Sequence, residues 1–382
     1  MEIYETRTYH AVKHPWLLSL VVLALIVFGA LLVLQGLAIA LLPFLFGIPM
    51  EDLLLLITGE SAHPNARLAF LFIQGLGGGL GFLLGGWIFI RFMDRASLGW
   101  QQQFESVKFK NLLILIPLLY GFVMFNSLFI YLNMHVDFPE FMGGFEQWAM
   151  QKEKEMMEIT LYLTDFSNVG EMLFGVLVIG ILAGIGEEYL FRGILQPKLQ
   201  IYTGNVHVGI WLAAIIFSAI HFQFYGFLPR MMLGALFGYL YFCSGSLVYP
   251  IVAHILNNAL TVIAVYLNKL GIMDFDIEGG GELEWYYVVL GLGLFLISFK
   301  AFTASLSNKE NNALMAEWQM VFESDSPIRA EIVKGVLEEK GIKAIVLNKK
   351  ESVYQLHGSY DVMVSSSDTM QAINIIQNEI TF

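Results

Sequence analysis

Charge and sulfur are what this chain has least of. Only 14% of its 382 residues are Asp, Glu, Lys or Arg, against about a quarter in ordinary soluble domains. The single cysteine, Cys243, excludes an intramolecular disulfide and a multi-cysteine metal site, and reads as a buried thiol near a helix end. There is no basic stripe. The formal charge of -12 is spread over loops and the C-terminal region, which argues against a nucleic-acid partner. Two catalytic signatures are missing as well. No Gly-x-Ser-x-Gly marks a serine nucleophile, and no His-Glu-x-x-His offers a zinc-binding helix. With Cys243 lacking a placed partner, a covalent nucleophile is not expected.

What is present is apolar: 57% of residues are hydrophobic, Phe alone accounts for 31, and the mean hydropathy is +0.64. This is the composition of a membrane protein. Runs of about 20 apolar residues, enough to cross a bilayer, occur near 16–45, 67–91, 111–132, 170–195, 206–225, 247–268 and 284–304. A shorter run, Leu228 to Phe242, must cross if its neighbours do, which makes eight spans. The first run extends from Trp16 to about Ile48, too long for a signal-peptide core, and is read as a retained transmembrane helix. Segment 138–167 mixes aromatic and charged residues and is expected to be an interfacial or loop helix.

Positive residues orient the chain. Arg7, Lys13, Arg91, Arg95, Lys108, Lys110, Arg192 and Lys198 fall on one side; Arg67, Lys152, Lys154, Arg230 and Lys269 fall on the other. The excess places the N-terminus in the cytoplasm, and eight spans return the C-terminus there. The expected location is the cytoplasmic membrane, multi-pass. The glycine run Gly75, Gly77, Gly78, Gly79 and Gly81, continued by Gly85, lies inside a span and suits close helix packing rather than a phosphate loop.

Near Glu317 the pattern changes to a soluble α+β module. Strands are predicted at Trp318–Phe322, Ala344–Leu347, Val353–Leu356 and Tyr360–Val364, with helices at Ser326–Glu339 and Ser367–Gln377 capped by Ser367 and Asp368. The module resembles a small ferredoxin-like family described as prokaryotic signal-transducing domains. The likeness rests on Trp318-Gln-Met-Val-Phe-Glu-Ser, the helix from Pro327 to Gly341, and Ala344-Ile-Val-Leu-Asn348. It implies an accessory domain, with a regulator or a substrate as its partner. The fold class that follows is an all-α polytopic membrane protein of eight transmembrane helices with a small C-terminal α+β, ferredoxin-like domain. Its parts are a membrane domain over 1–304, a linker over 305–316 and the accessory domain over 317–382.

Three polar motifs interrupt the apolar spans: Glu187-Glu188-x-x-x-Arg192, Phe217-x-x-x-His221 and His254-x-x-x-Asn258. Ionisable groups at membrane depth are costly and mark functional sites by default. Glu188 and Arg192, four apart, share a helix face and can pair; Glu187 is rotated by roughly 100 degrees, toward a cavity. His254 and Asn258 share a face and can supply two metal ligands or two oxyanion donors. At the helical rise, Glu187, His221 and Asn258 all lie roughly 18–22 Å from the inner face. One layer thus collects a base, imidazoles, an amide and a positive charge, the parts of a non-covalent, water-using hydrolase.

In this order, on successive spans, the motifs resemble the CPBP family of CAAX-protein proteases and bacteriocin-processing enzymes, also called Abi proteins. The likeness covers roughly 165–270 and meets the family pattern at every position. It implies an intramembrane metalloendopeptidase whose catalytic candidates are Glu187, Glu188, Arg192, His221, His254 and Asn258. Glu187 with His221 would activate water, His254 with Asn258 would bind a metal or the oxyanion, and Glu188 and Arg192 would be structural or substrate-orienting. A Zn2+ site would draw on Glu187, His221, His254 and Asn258; metal-free water activation is the alternative. The implied partner is a membrane-embedded or lipid-anchored protein or peptide, in the bilayer and without nucleic acid. An ion-coupled transporter would show inverted repeats and broken helices, which the chain lacks. A catalytically silent scaffold or immunity partner would be expected to carry a damaged motif set, and here it is intact.

Overall fold

A computed structural model describes residues 5–6, 15–275, 283–306, 318–324, 326–348, 360–365 and 368–380. The chain divides into two compact units, one made of Tyr4–Thr203 with His207–Thr303, the other mainly of Ala304–Phe382.

The larger unit is helical. In chain order its principal helices are α1 (Trp16–Leu45), α2 (Ala66–Asp94), α3 (Phe109–Met134), α4 (Gly143–Thr164), α5 (Val169–Thr203), α6 (Val206–Ala219), α7 (Phe227–Ser244), α8 (Val248–Lys269) and α9 (Trp285–Leu306). Among the described residues six of them, α1, α2, α3, α5, α8 and α9, are long and apolar enough to cross a membrane. Eight spans were expected. The difference falls on α6, which has only 14 residues, and on α7, which has 18 and carries Pro229 and Arg230 in its first turn. Apolar composition extended the fifth run to residue 225, but the helix stops at Ala219. The chain then reverses through Phe222, whose φ of 54° no helix accommodates.

Small residues set the packing. A Cβ on Gly186 of α5 would collide with the Gly79 carbonyl oxygen of α2, and one on Gly79 would lie 2.8 Å from the Leu182 carbonyl carbon. On the far side of α2, Cβ atoms at Gly81 and Gly85 would lie 2.7 Å from Leu31 Cδ2 and from Val27 Cα of α1. The glycine run is therefore a close-packing surface, as small residues at this spacing allow. Toward α8, a Cβ on Gly184 would sit 3.2 Å from the Ile255 nitrogen. This approach brings the two-glutamate turn of α5 against the histidine of α8. Wide π-helical turns, Val176–Leu182 and Phe191–Leu195, lie on either side of that turn; such turns recur at functional sites.

The segment 138–167, expected to be an interfacial or loop helix, is helical as α4 over Gly143–Thr164. Its C-terminal end is pinned by Arg67, which donates to the Tyr162 carbonyl and pairs with Asp165 and Glu171 at 3.0 Å each.

The smaller unit contains β1 (Trp318–Ser324), α10 (Pro327–Glu339), β2 (Ala344–Asn348), β3 (Tyr360–Ser365) and α11 (Thr369–Glu379). The sheet order is β1-β3-β2 with both pairings antiparallel. Ala330, Val333 and Leu337 of α10 and Ala372 of α11 pack on Val362 and Val364 of β3. Asp368 stands at the N-cap of α11. The strand expected at Val353–Leu356, the Ser367 cap and nearly all of the linker (from residue 307) lie outside the described residues.

Candidate active site

The site grows from one turn of α5. Glu188 and Arg192 are four residues apart on that helix, and Arg192 Nη1 donates to Glu188 Oε1 at 2.8 Å. The same oxygen accepts His254 Nδ1 from α8 at 2.8 Å, and Arg192 Nη2 donates to the Gly234 carbonyl of α7 at 2.8 Å. Glu188 is 0% exposed, Arg192 1% and His254 3%. A buried carboxylate and guanidinium are tolerated only when paired and hydrogen-bonded. Here three helices supply the partners. Phenylalanines enclose the group: the Arg192 guanidinium lies 4.7 Å from the Phe217 ring and 5.5 Å from Phe237, while Phe237 stacks on His254 at 5.0 Å.

Glu187 lies on the wall of a cavity of about 1010 Å³, a wall that also includes Phe217, His221, His254 and Asn258. His254 thus has two faces. Its Nδ1–H is fixed on Glu188, which leaves Nε2 turned toward Glu187 Oε2 at 3.9 Å. His221 lies two residues beyond the end of α6 rather than inside a span. Its Nδ1 donates to the Phe217 carbonyl at 2.8 Å, so the Phe-x-x-x-His spacing holds the imidazole to the last helical turn.

Asn258 is placed differently from the expectation of a ligand or donor beside His254. Its Nδ2 donates to the Ile179 carbonyl at 3.0 Å, and its Oδ1 accepts from Asn257 Nδ2 at 3.1 Å. The four donors expected for Zn2+ do not close as a ligand set. Among the described residues no three His, Cys, Asp or Glu side chains gather to hold a metal ion.

Other polar residues reach the same cavity without having been singled out in the sequence: Glu153 of α4, Gln223, Arg230 of α7 and Asn257. The signal for Arg230 was available, since it is the only charge between Leu228 and Phe242. It reads equally as a flanking positive residue, and Glu153 is one of several charges on a mixed helix.

Residues 169–260 match the family model described as "Type II CAAX prenyl endopeptidase Rce1-like", and residues 318–380 match that described as "Putative prokaryotic signal transducing protein". A curated relative, "Uncharacterized protein YpbD" of Bacillus subtilis (strain 168), is 28% identical over 109 residues, 26% of this chain and 53% of that protein. The match thus spans about half the length of the relative. No solved structure matches the chain. Family match and apolar helices together make this an integral membrane protein with a protease-like core.

Proposed function

We propose that the chain is an intramembrane endopeptidase that hydrolyses a peptide bond of a membrane-associated protein or peptide with activated water. The observation that carries the reading is the 3.9 Å separation of Glu187 Oε2 and His254 Nε2 at the wall of the cavity. That spacing is too long for a direct hydrogen bond and suits a water molecule touching both atoms. Glu187 takes a proton as the water oxygen attacks the scissile carbonyl carbon. The carbonyl oxygen becomes an oxyanion, the carbon–nitrogen bond then breaks, and Glu187 returns the proton to the leaving nitrogen. His221 lines the same cavity and, with its Nδ1–H held by the Phe217 carbonyl, has Nε2 left as an acceptor that takes a hydrogen bond from the attacking water. Glu188 and Arg192 act through His254, whose tautomer and orientation they hold.

In this reading α6 and α7 complete eight crossings, both termini are cytoplasmic, and the membrane is the cytoplasmic one. Residues 1–304 form the protease domain, 305–316 the linker, and 317–382 a ferredoxin-like accessory domain that binds a regulator or a substrate. The β1-β3-β2 order supports that fold, which adds a fourth strand in the βαββαβ pattern.

The test is comparative proteomics of membranes from strains carrying the wild type or Glu187→Ala. The variant is expected to accumulate at least one uncleaved membrane polypeptide. Identical peptide termini in the two strains, with the variant present at wild-type level, would overturn the reading.

A further inference from the structure

On the cavity wall away from the Glu188–His254 bond, two opposite charges are held apart by a neutral amide. Gln223 Nε2 donates to Glu153 Oε1 at 3.1 Å, and Arg230 Nη2 donates to Gln223 Oε1 at 2.8 Å. Each charged group uses only one end. Glu153 Oε2 and Arg230 Nη1 are buried and have no hydrogen-bond partner among the described residues. The guanidinium lies against the turn that carries Gln223: a Cβ on Gly226 would be 3.1 Å from Nη2 and 3.3 Å from Nη1. Leaving a buried charge half satisfied is destabilising. A direct Glu153–Arg230 ion pair would remove that deficit, yet Gln223 stands between them. The arrangement keeps one acceptor and one donor idle beside Glu187.

We propose that Glu153 and Arg230 bind the main chain of the substrate, with Arg230 Nη1 donating to a substrate carbonyl and Glu153 Oε2 accepting a substrate N–H. The proposal rests on the endopeptidase reading for the identity of the ligand as a polypeptide. A peptide drawn into an apolar cavity loses water from both main-chain groups, and each then needs a protein partner. The two idle atoms meet that need with the right polarity. A free C-terminal carboxylate fits less well, because Glu153 repels it while Arg230 attracts it. The pair is therefore a specificity device that favours internal peptide segments.

The test uses the full chain in lipid nanodiscs and a fluorescein-labelled decapeptide of Leu, Ala and Val with an amidated C-terminus, read by anisotropy. The wild type is expected to bind it, while Glu153→Ala and Arg230→Ala each weaken binding about tenfold, the size of one hydrogen bond to a charged group. Glu153→Gln and Arg230→Lys repeat the measurement should either alanine variant fail to fold. Single N-methylation of the peptide at the clamped position is expected to weaken wild-type binding and to add nothing in Glu153→Ala. No binding by the wild type, undiminished binding by both variants, or binding only of the free-acid peptide through Arg230 alone would overturn the clamp. Binding that depends on Glu153 and Arg230 without any peptide cleavage by the wild type would instead sink the endopeptidase reading and leave the clamp standing.

Discussion

His254 Nδ1 and Glu188 Oε1 are 2.8 Å apart although 66 residues separate them, and the oxygen that joins them also receives Arg192 Nη1 at 2.8 Å. A single carboxylate oxygen therefore orients the imidazole and neutralises the guanidinium. This links the stability of the α5–α7–α8 packing to the geometry of the reaction space.

Removing one member should expose the linkage. Arg192→Ala leaves the buried Glu188 carboxyl without its guanidinium, and a loss of about 3–5 kcal/mol is expected for breaking such a pair. The double change Glu188→Leu with Arg192→Met removes both charges and should cost less than either single change. Unfolding in nanodiscs, followed by circular dichroism against denaturant, would show the order. A double variant less stable than both singles would contradict it.

Glu187 carries chemistry rather than packing in this scheme. Glu187→Ala should lower cleavage by about 10²–10⁴-fold, the range for a positioned general base, with helix content and the unfolding midpoint unchanged or raised. Full cleavage by this variant is the outcome that the mechanism does not survive.

The glycine surface makes a paired prediction. Gly186→Ala pushes a methyl group onto the Gly79 carbonyl, a backbone atom that cannot swing away, and should cost about 1–3 kcal/mol. A Cβ on Gly78, one residue from Gly79, would meet nothing within 4 Å among the described residues. Gly78→Ala should be neutral or stabilising by up to about 1 kcal/mol, since alanine is the better helix former. Thermal unfolding of the two variants side by side checks both signs.

Metal dependence is decided by the donors present. His221 and His254 each have Nδ1 in a hydrogen bond and Nε2 left over, but among the described residues no three His, Cys, Asp or Glu side chains gather closely enough to hold an ion, and the Asn258 amide is already engaged. Cleavage should therefore persist after exhaustive chelation, with elemental analysis below one ion per chain. Loss on chelation with recovery on adding Zn2+ would restore the four-donor site.

Much of the larger unit was legible without coordinates because hydrocarbon imposes simple rules. Only long helices satisfy their backbone in lipid, so apolar length read out α1, α2, α3, α5, α8 and α9, and the cost of charge at depth pointed to Glu187, Glu188, Arg192, His221 and His254. In the smaller unit, alternation and turn residues located β1, α10, β2, β3 and α11 to within a few residues. Hydropathy alone does not locate where a helix stops, and so the end of α6 at Ala219 was missed. It is set by the reversal at Phe222.

What the sequence by itself determined is which residues must be buried or paired, and the i, i+4 relationships that put Glu188 with Arg192 and Phe217 with His221. Those are local, and helical geometry dictates them. Only the tertiary structure decided that Glu188 reaches His254, that Asn258 bonds Ile179 and Asn257, and that Glu153 and Arg230 meet Gln223. The Glu188–His254, Asn258–Ile179 and Glu153–Gln223 bonds join elements distant in the chain, and the approach distances depend on where glycines let one backbone touch another.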